Sequence, residues 1–279
     1  MSILVYGKTG QVGKALNQFE DVVSLARNEA NFLNPYKCAE LVNRFSPKVV
    51  INAVAKTNVD KCEKEKSESD LINTITPIEI AKVCKKNEIP FIQISSDYVF
   101  DGKSSIPYKE SDLTNPVNYY GATKLNAENE ILKLNFNSVI LRTSWVFSTS
   151  KTNFIFKIKN QIQNKKKINV VFDQEGSPTS AKDIAKTCFI IANSMKDNKK
   201  LNKIYHYSSY PSTNFYEYAK EILTYTDNDT KLNKIKSVDY SQDVLRPKFT
   251  YLNCDLLKND LAIDRPNWKK SLKKILEKN

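Results

Sequence analysis

The sequence predicts an α/β fold in which short apolar strands, buried on both faces, alternate with helices. Three observations carry this. Ile3-Leu4-Val5-Tyr6, Val49-Val50-Ile51-Asn52 and Phe91-Ile92-Gln93-Ile94 are short, largely apolar runs, as expected of strands covered on both sides. Three of the chain's 6 glycines, Gly7, Gly10 and Gly13, directly follow the first run and lead into a helical pattern through Ala15, Leu16 and Phe19. The length of 279 residues provides for one large α/β domain, alone or with a smaller lobe.

Composition narrows the function classes. With 41% hydrophobic residues the chain is globular, and no apolar run approaches the roughly 20 residues of a membrane span. Ile3 begins too early for a signal peptide, so a cytoplasmic location and no membrane partner are expected. Cys38, Cys62, Cys84, Cys188 and Cys254 are scattered, without CxxC spacing, and read as reduced thiols rather than disulfides or zinc ligands. A net charge of +12 raises the question of nucleic-acid binding. The lysines are spread along the chain, however, and only Lys165-Lys166-Lys167 cluster, so no nucleic-acid partner is expected. Phe154 to Ile162 and that cluster read as an exposed helix. The single histidine, His206, lies in an alternating strand pattern and reads as a packed, partnered side chain.

Taken in order, Gly7-Lys8-Thr9-Gly10-Gln11-Val12-Gly13 joins strand to helix. Its glycines permit a tight turn, close approach to a pyrophosphate and close helix-to-strand packing, while the helix start offers free N–H groups to phosphates. The GxxGxxG spacing resembles the extended short-chain dehydrogenase/reductase superfamily. Val22 to Leu25 reads as the second strand, ending at Ala26-Arg27, where NAD-preferring proteins usually carry an acidic residue. Arg27 favours a 2′-phosphate and hence NADPH; a plain surface arginine, and NADH, are the alternatives. Asn31 and Phe32 stand where the superfamily places residues against the adenine.

Phe91 to Ile94 runs out into Ser95-Ser96-Asp97-Tyr98, and about two dozen residues later comes Tyr120-Gly121-Ala122-Thr123-Lys124. On a helix, Tyr120 and Lys124 lie one turn apart on one face. A phenol with a pKa of about 10 is a poor acid or base near neutrality, and a neighbouring ammonium favours its phenolate. Ser96, Tyr120 and Lys124 match the superfamily's Ser/Thr-Tyr-Lys triad in order and spacing; Tyr119 lacks a lysine four residues on.

Several stretches resemble the dTDP-4-dehydrorhamnose reductase family. They are Asn52-Ala53-Val54-Ala55 with Thr57, Val59, Asp60 and Glu63; Ser95-Ser96-Asp97-Tyr98-Val99-Phe100-Asp101-Gly102; Arg142-Thr143-Ser144-Trp145; Asp173-Gln174 through Thr179; and Arg246-Pro247 through Asn253. Lys56 departs from the family's aromatic or histidine, and Ser96 takes a threonine's place. The resemblance implies a Rossmann-like doubly wound parallel sheet with a smaller C-terminal substrate-binding lobe. Residues 1–147 would form the dinucleotide-binding domain, 148–279 mainly the lobe, and the chain would return to the first domain around 166–184. It implies reduction of the 4-keto group of dTDP-4-dehydro-L-rhamnose by NADPH, with Tyr120 as proton donor. Gly7, Thr9, Gly10, Gln11, Val12, Gly13, Arg27, Asn31, Phe32, Ala53, Val54, Ala55, Thr57, Tyr120 and Lys124 would bind the cofactor. Val59, Ser96, Asp97, Tyr98, Trp145, Gln174 and Arg246 would face the nucleotide sugar, and Asn73 would lie near the cofactor. Some homologues join as dimers through magnesium-binding glutamates; Ala15 and Lys182 stand at those places, which argues against Mg2+ and leaves a monomer or another homodimer. A reductase of a different nucleotide-linked 6-deoxy sugar, UDP-linked for example, and a non-catalytic NADP-binding subunit are the rival readings.

Overall fold

Strands apolar on both faces need cover on both faces, and the chain supplies it by alternating strand and helix. The computed structural model describes residues 2–226, 228–240 and 244–277. The first part runs β1 (Ile3–Tyr6), α1 (Gln11–Leu16), β2 (Val22–Leu25), α2 (Pro35–Phe45), β3 (Val49–Asn52), α3 (Val59–Lys64), α4 (Lys66–Asp70), a π turn at Leu71–Ile75, α5 (Thr76–Lys86), β4 (Phe91–Ser96), a 3-10 turn at Asp97–Val99, α6 (Tyr119–Lys133) and β5 (Ser138–Thr143). The second runs β6 (Val146–Phe147), α7 (Phe154–Asn164), β7 (Lys167–Val171), β8 (Glu175–Gly176), β9 (Thr179–Ser180), α8 (Ala181–Lys196), β10 (Ile204–Tyr207), β11 (Thr213–Asn214), α9 (Phe215–Leu223), β12 (Lys231–Ile235), a 3-10 turn at Ser237–Asp239, α10 (Asp255–Leu261) and α11 (Trp268–Leu276).

Among the described residues, β10-β5-β4-β3-β1-β2 form one six-stranded sheet with every pairing parallel. This is the expected doubly wound sheet. Its winding direction changes between β1 and β3, which opens a crevice at the carboxyl ends of those strands. Val12, Leu16, Ile184, Cys188 and Ile191 from α1 and α8 cover one face; Val42, Ile80, Ala81, Ala127 and Ile131 from α2, α5 and α6 cover the other. All five cysteines are buried and free, and no helix among the described residues is long and apolar enough to cross a membrane.

A second core, built on Phe147, Ile155, Ile158, Tyr218, Ile222, Trp268 and Leu272, holds α7, α9 and α11 together. Of the stretch 166–184 expected to return to the first domain, the end does so, with Ala181 and Ile184 packed on the main sheet. Lys167–Val171 pairs with β12, outside the main sheet, whereas α8 and β10 carry the chain back. Lys165 to Lys167 are not helical: α7 ends at Asn164 and Lys167 opens β7. Nor is α7 wholly exposed, since Ile155, Ile158 and Ile162 are buried.

A buried charge cluster lies beneath the sheet's far edge. Arg142 on β5 donates through Nε and Nη2 to the Glu128 carboxylate, the shortest contact being 2.7 Å, and both side chains are nearly inaccessible. His206 is held neutral, its pKa pushed down to about 3 by burial first and by Arg142 second. A neutral ring with its proton on Nδ1 would donate to the Tyr108 carbonyl at 3.1 Å and accept from Arg142 at 3.3 Å. The histidine is thus packed and partnered, as its strand context implied. Removing one member of a buried pair strands the other charge. Glu128→Ala should therefore lower stability by about 3–5 kcal/mol in denaturant unfolding. A loss under about 1 kcal/mol would indicate a pair that water already screens.

Candidate active site

The site lies where β1, β3 and β4 run out. Gly7 has φ +104°, and a Cβ there would stand 3.1 Å from the Ala53 backbone. A Cβ on Gly13 would lie 1.9 Å from the Gly7 carbonyl oxygen, so that glycine sets how closely α1 meets the loop. Gln11 fastens the loop to the second part of the chain: its Nε2 donates to the Val146 carbonyl at 3.3 Å and its Oε1 accepts from Ser148 and Asn153.

Two cavities share the backbone at Gly10 and Ala53-Val54-Ala55. One, of about 410 Å³, is lined by Gly7, Thr9, Gly10, Arg27, Asn31, Phe32 and Lys56, among others. The other, of about 440 Å³, is lined by Gln11, Val12, Thr57, Val59, Ser96, Asp97, Tyr98, Tyr120, Lys124, Trp145 and Arg246, and also by Phe154, Phe215 and Tyr218. Gly10 and the small residues after β3 form their common wall, which leaves room for an extended dinucleotide lying across both. The residues present therefore fit NADP(H), and Arg27, just past the end of β2, is one of the cations lining the smaller cavity.

The reacting groups are brought together by α6. Asn118 caps the helix, accepting from the Gly121 N–H at 2.9 Å, while its own amide donates to the Leu245 carbonyl at 3.0 Å. A Cβ on Gly121 would stand 2.1 Å from the Tyr98 carbonyl oxygen, so only glycine lets the first turn of α6 sit on the turn after β4. Tyr120 thereby reaches Ser96, and Lys124 Nζ donates to the Ile94 carbonyl at 2.8 Å.

Electrostatics here follow burial. The Tyr120 phenol is pushed up, chiefly by burial and further by Asp97, Cys62 and Tyr98, against a Ser96 hydrogen bond. Lys124 is not among the groups acting on the resting phenol, its ammonium being bound to the Ile94 carbonyl, and Tyr120 stays protonated at rest, as a proton donor requires. Lys124 is itself pulled down to about 8 by burial, opposed by Glu128.

The sequence-selected residues do not all converge. Gly13 packs against the Gly7 carbonyl and lines neither cavity. Gln174 is buried and donates to Ser237 at 2.9 Å, away from the residues lining the two cavities. Trp145, at φ +41°, lines the larger cavity but stacks on Phe215 at 3.9 Å and lies against Gly176. Arg246 is paired with Asp60 at 3.0 Å. Asn73 is fully buried and spent on structure: it accepts from the Lys56 N–H at 2.8 Å and donates to Thr123 at 3.1 Å, clamping the loop after β3 to α6. Lys56 pairs with Glu65 and Glu68.

Sequence reasoning missed Phe154, Phe215 and Tyr218 as cavity walls, and Val244, which packs with Val59, Cys62 and Tyr120. The helical pattern of 214–223 was readable; which face meets the cavity was not.

Comparison with known proteins agrees with this geometry. The whole chain, residues 1–279, matches the family described as RmlD substrate binding domain. It is 32% identical to a dTDP-4-dehydrorhamnose reductase of Sinorhizobium fredii, covering 99% of this chain and 97% of the relative. The figures for the Escherichia coli K12 protein of that name are likewise 32%, 99% and 97%. A crystal structure of a dTDP-4-dehydrorhamnose reductase from Bacillus anthracis in complex with NADP superposes with a TM-score of 0.92 at 26% identity, covering 100% of both chains.

The position of Lys124 has a measurable consequence. Its folded pKa, about 8, lies below the ordinary 10.5, so the folded chain holds fewer protons between those values. The cost of burying the ammonium is fully present below about pH 8 and is relieved as pH rises toward 10.5. Lys124→Met should accordingly raise the unfolding temperature at pH 7 by roughly 2–4 °C, a gain that shrinks toward pH 10. Lower stability at pH 7 would mean the bond to Ile94 outweighs that cost.

Proposed function

The chain belongs to the dTDP-4-dehydrorhamnose reductase family, and from that premise we infer an NADPH-dependent reductase that converts the 4-keto group of dTDP-4-dehydro-L-rhamnose to the alcohol of dTDP-L-rhamnose. The observation that carries the reading is the gathering of Ser96, Tyr120 and Lys124 in the cavity that adjoins the glycine-loop crevice. When bound, NADPH supplies the hydride that reaches C4 of the sugar. Tyr120, protonated at rest, gives its proton to the oxygen as negative charge develops there. Ser96 orients that oxygen by hydrogen bonding, and Lys124 stabilises the phenolate left behind. The backbone at Gly7, Gly10 and Ala53 to Ala55 would make room for the pyrophosphate and adenosine, Arg27 would meet the 2′-phosphate, and Asn31 and Phe32 would border the adenine.

Val59, Tyr98, Trp145 and Arg246 line the substrate side. The planar guanidinium of Arg246 suits a diphosphate, for which Asp60 is the present competitor. In this division the main sheet holds the dinucleotide and the lobe closes over the sugar nucleotide. The protein would work in the cytoplasm as a monomer or a homodimer. Ala15 and Lys182, beside one shallow groove, argue against a magnesium-bridged dimer.

Tyr120→Phe should lower kcat for NADPH oxidation on the keto sugar by about 10²–10⁴-fold while leaving NADP binding intact. Full turnover in that variant would remove Tyr120 from the mechanism. Arg27→Ala should raise KM for NADPH by about tenfold and leave KM for NADH unchanged, the signature of one lost charge-assisted contact. Equal effects on both cofactors would place Arg27 outside the phosphate site.

A further inference from the structure

Ser96 stands between two acids. On one side it shares a cavity with the Tyr120 phenol, whose rise in pKa it opposes. On the other, its Oγ donates to Asp97 Oδ1 at 3.0 Å. Asp97 is 2% exposed, lines the cavity that holds Tyr120, and its Oδ2 completes no hydrogen bond among the described residues. The Thr250 hydroxyl, which acts on the carboxylate from the C-terminal lobe, is buried and completes no hydrogen bond among the described residues.

Resting on the reductase reading above, we propose that Asp97 stores the proton that restores Tyr120 after each turnover, passing it through the Ser96 hydroxyl. Once Tyr120 has protonated the sugar oxygen, a phenolate remains. The Asp97 O–H bond breaks and its proton bonds to Ser96 Oγ, while the proton leaving Ser96 forms the new O–H bond of Tyr120. The electron pair of the broken bond stays on Asp97. The net change is phenolate plus carboxylic acid to phenol plus carboxylate, with nothing oxidised or reduced. Asp97, which borders the cavity, recovers a proton from solvent when product leaves.

The site suits this role. Burial raises the Asp97 carboxyl to about 7, against attraction from Thr250, Ser96 and the backbone N–H groups of Asp97 and Tyr98. It therefore exchanges a proton near neutrality, where an ordinary carboxyl would be empty. Tyr98 and Tyr120 are the titratable groups facing it; each has its own pKa raised by the Asp97 charge. A proton held on Asp97 thus also removes the negative charge that weakens the phenolate.

The test separates the first turnover from later ones, because Tyr120 enters the first already protonated. With NADPH and the dTDP-4-keto sugar in excess, Asp97→Asn should oxidise its first equivalent of NADPH in stopped flow about 100-fold faster than the later ones, the loss expected for a missing general acid, whereas the parent protein should show no such break. Asp97→Ser serves if asparagine disturbs folding, which retained NADPH binding checks, and formate should restore its later turnovers. Equal slowing of first and later turnovers would make Asp97 a structural residue, and unchanged kinetics would remove it from the proton path; either overturns the proposal. If the parent protein itself fails to oxidise NADPH with the sugar, the reductase reading falls instead.

Discussion

The contact on which the site depends is that between the first turn of α6 and the turn leaving β4. Gly121 meets the Tyr98 carbonyl so closely that any side chain there would push the helix away. Without that approach the Tyr120 phenol would not reach the Ser96 hydroxyl, however well both were presented by their own elements. Asn118 secures the arrangement twice, capping α6 and gripping the Leu245 carbonyl. One asparagine therefore links α6 and the C-terminal lobe.

Burial then decides the chemistry. Lys124, Tyr120 and Asp97 are all withdrawn from water, and each is shifted toward its neutral form. For the proposed proton transfer that direction is useful: the phenol would enter the cycle carrying the proton it gives away. The cost is carried by hydrogen bonds from and to backbone, such as Lys124 to Ile94. Farther along α6, Glu128 is neutralised by Arg142, so the charge closest to Lys124 in sequence is already satisfied.

Ligand shape comes from absences of side chains on one wall and an excess of aromatic ones on the other. The glycine loop leaves a narrow passage between two cavities, and Gln11 ties it to Val146, Ser148 and Asn153. Opposite, Trp145, Phe154, Phe215 and Tyr218 pack on one another. These rings belong to the core of the lobe as well as to the cavity, so the lobe's stability and the shape of the substrate side are one property.

Local sequence determined the strands, the glycine turn and the helical Tyr120–Lys124 pair, because each depends on neighbours a few residues away. The apolar runs at Ile3 and Phe91 could hardly be anything but covered strands. The return path of the chain was another matter. Nothing in Lys167–Val171 distinguishes a partner in the main sheet from β12, and that choice was made by which surfaces remained uncovered. The same holds for Asn73 and Gln174, whose amides suit a ligand as well as a backbone or serine until the fold decides what lies beside them. Spacing put Tyr120 and Lys124 on one helix face; how deeply the phenol is buried and that the ammonium meets the Ile94 carbonyl are properties of the folded chain alone, because both depend on what the sheet and the lobe lay against that face.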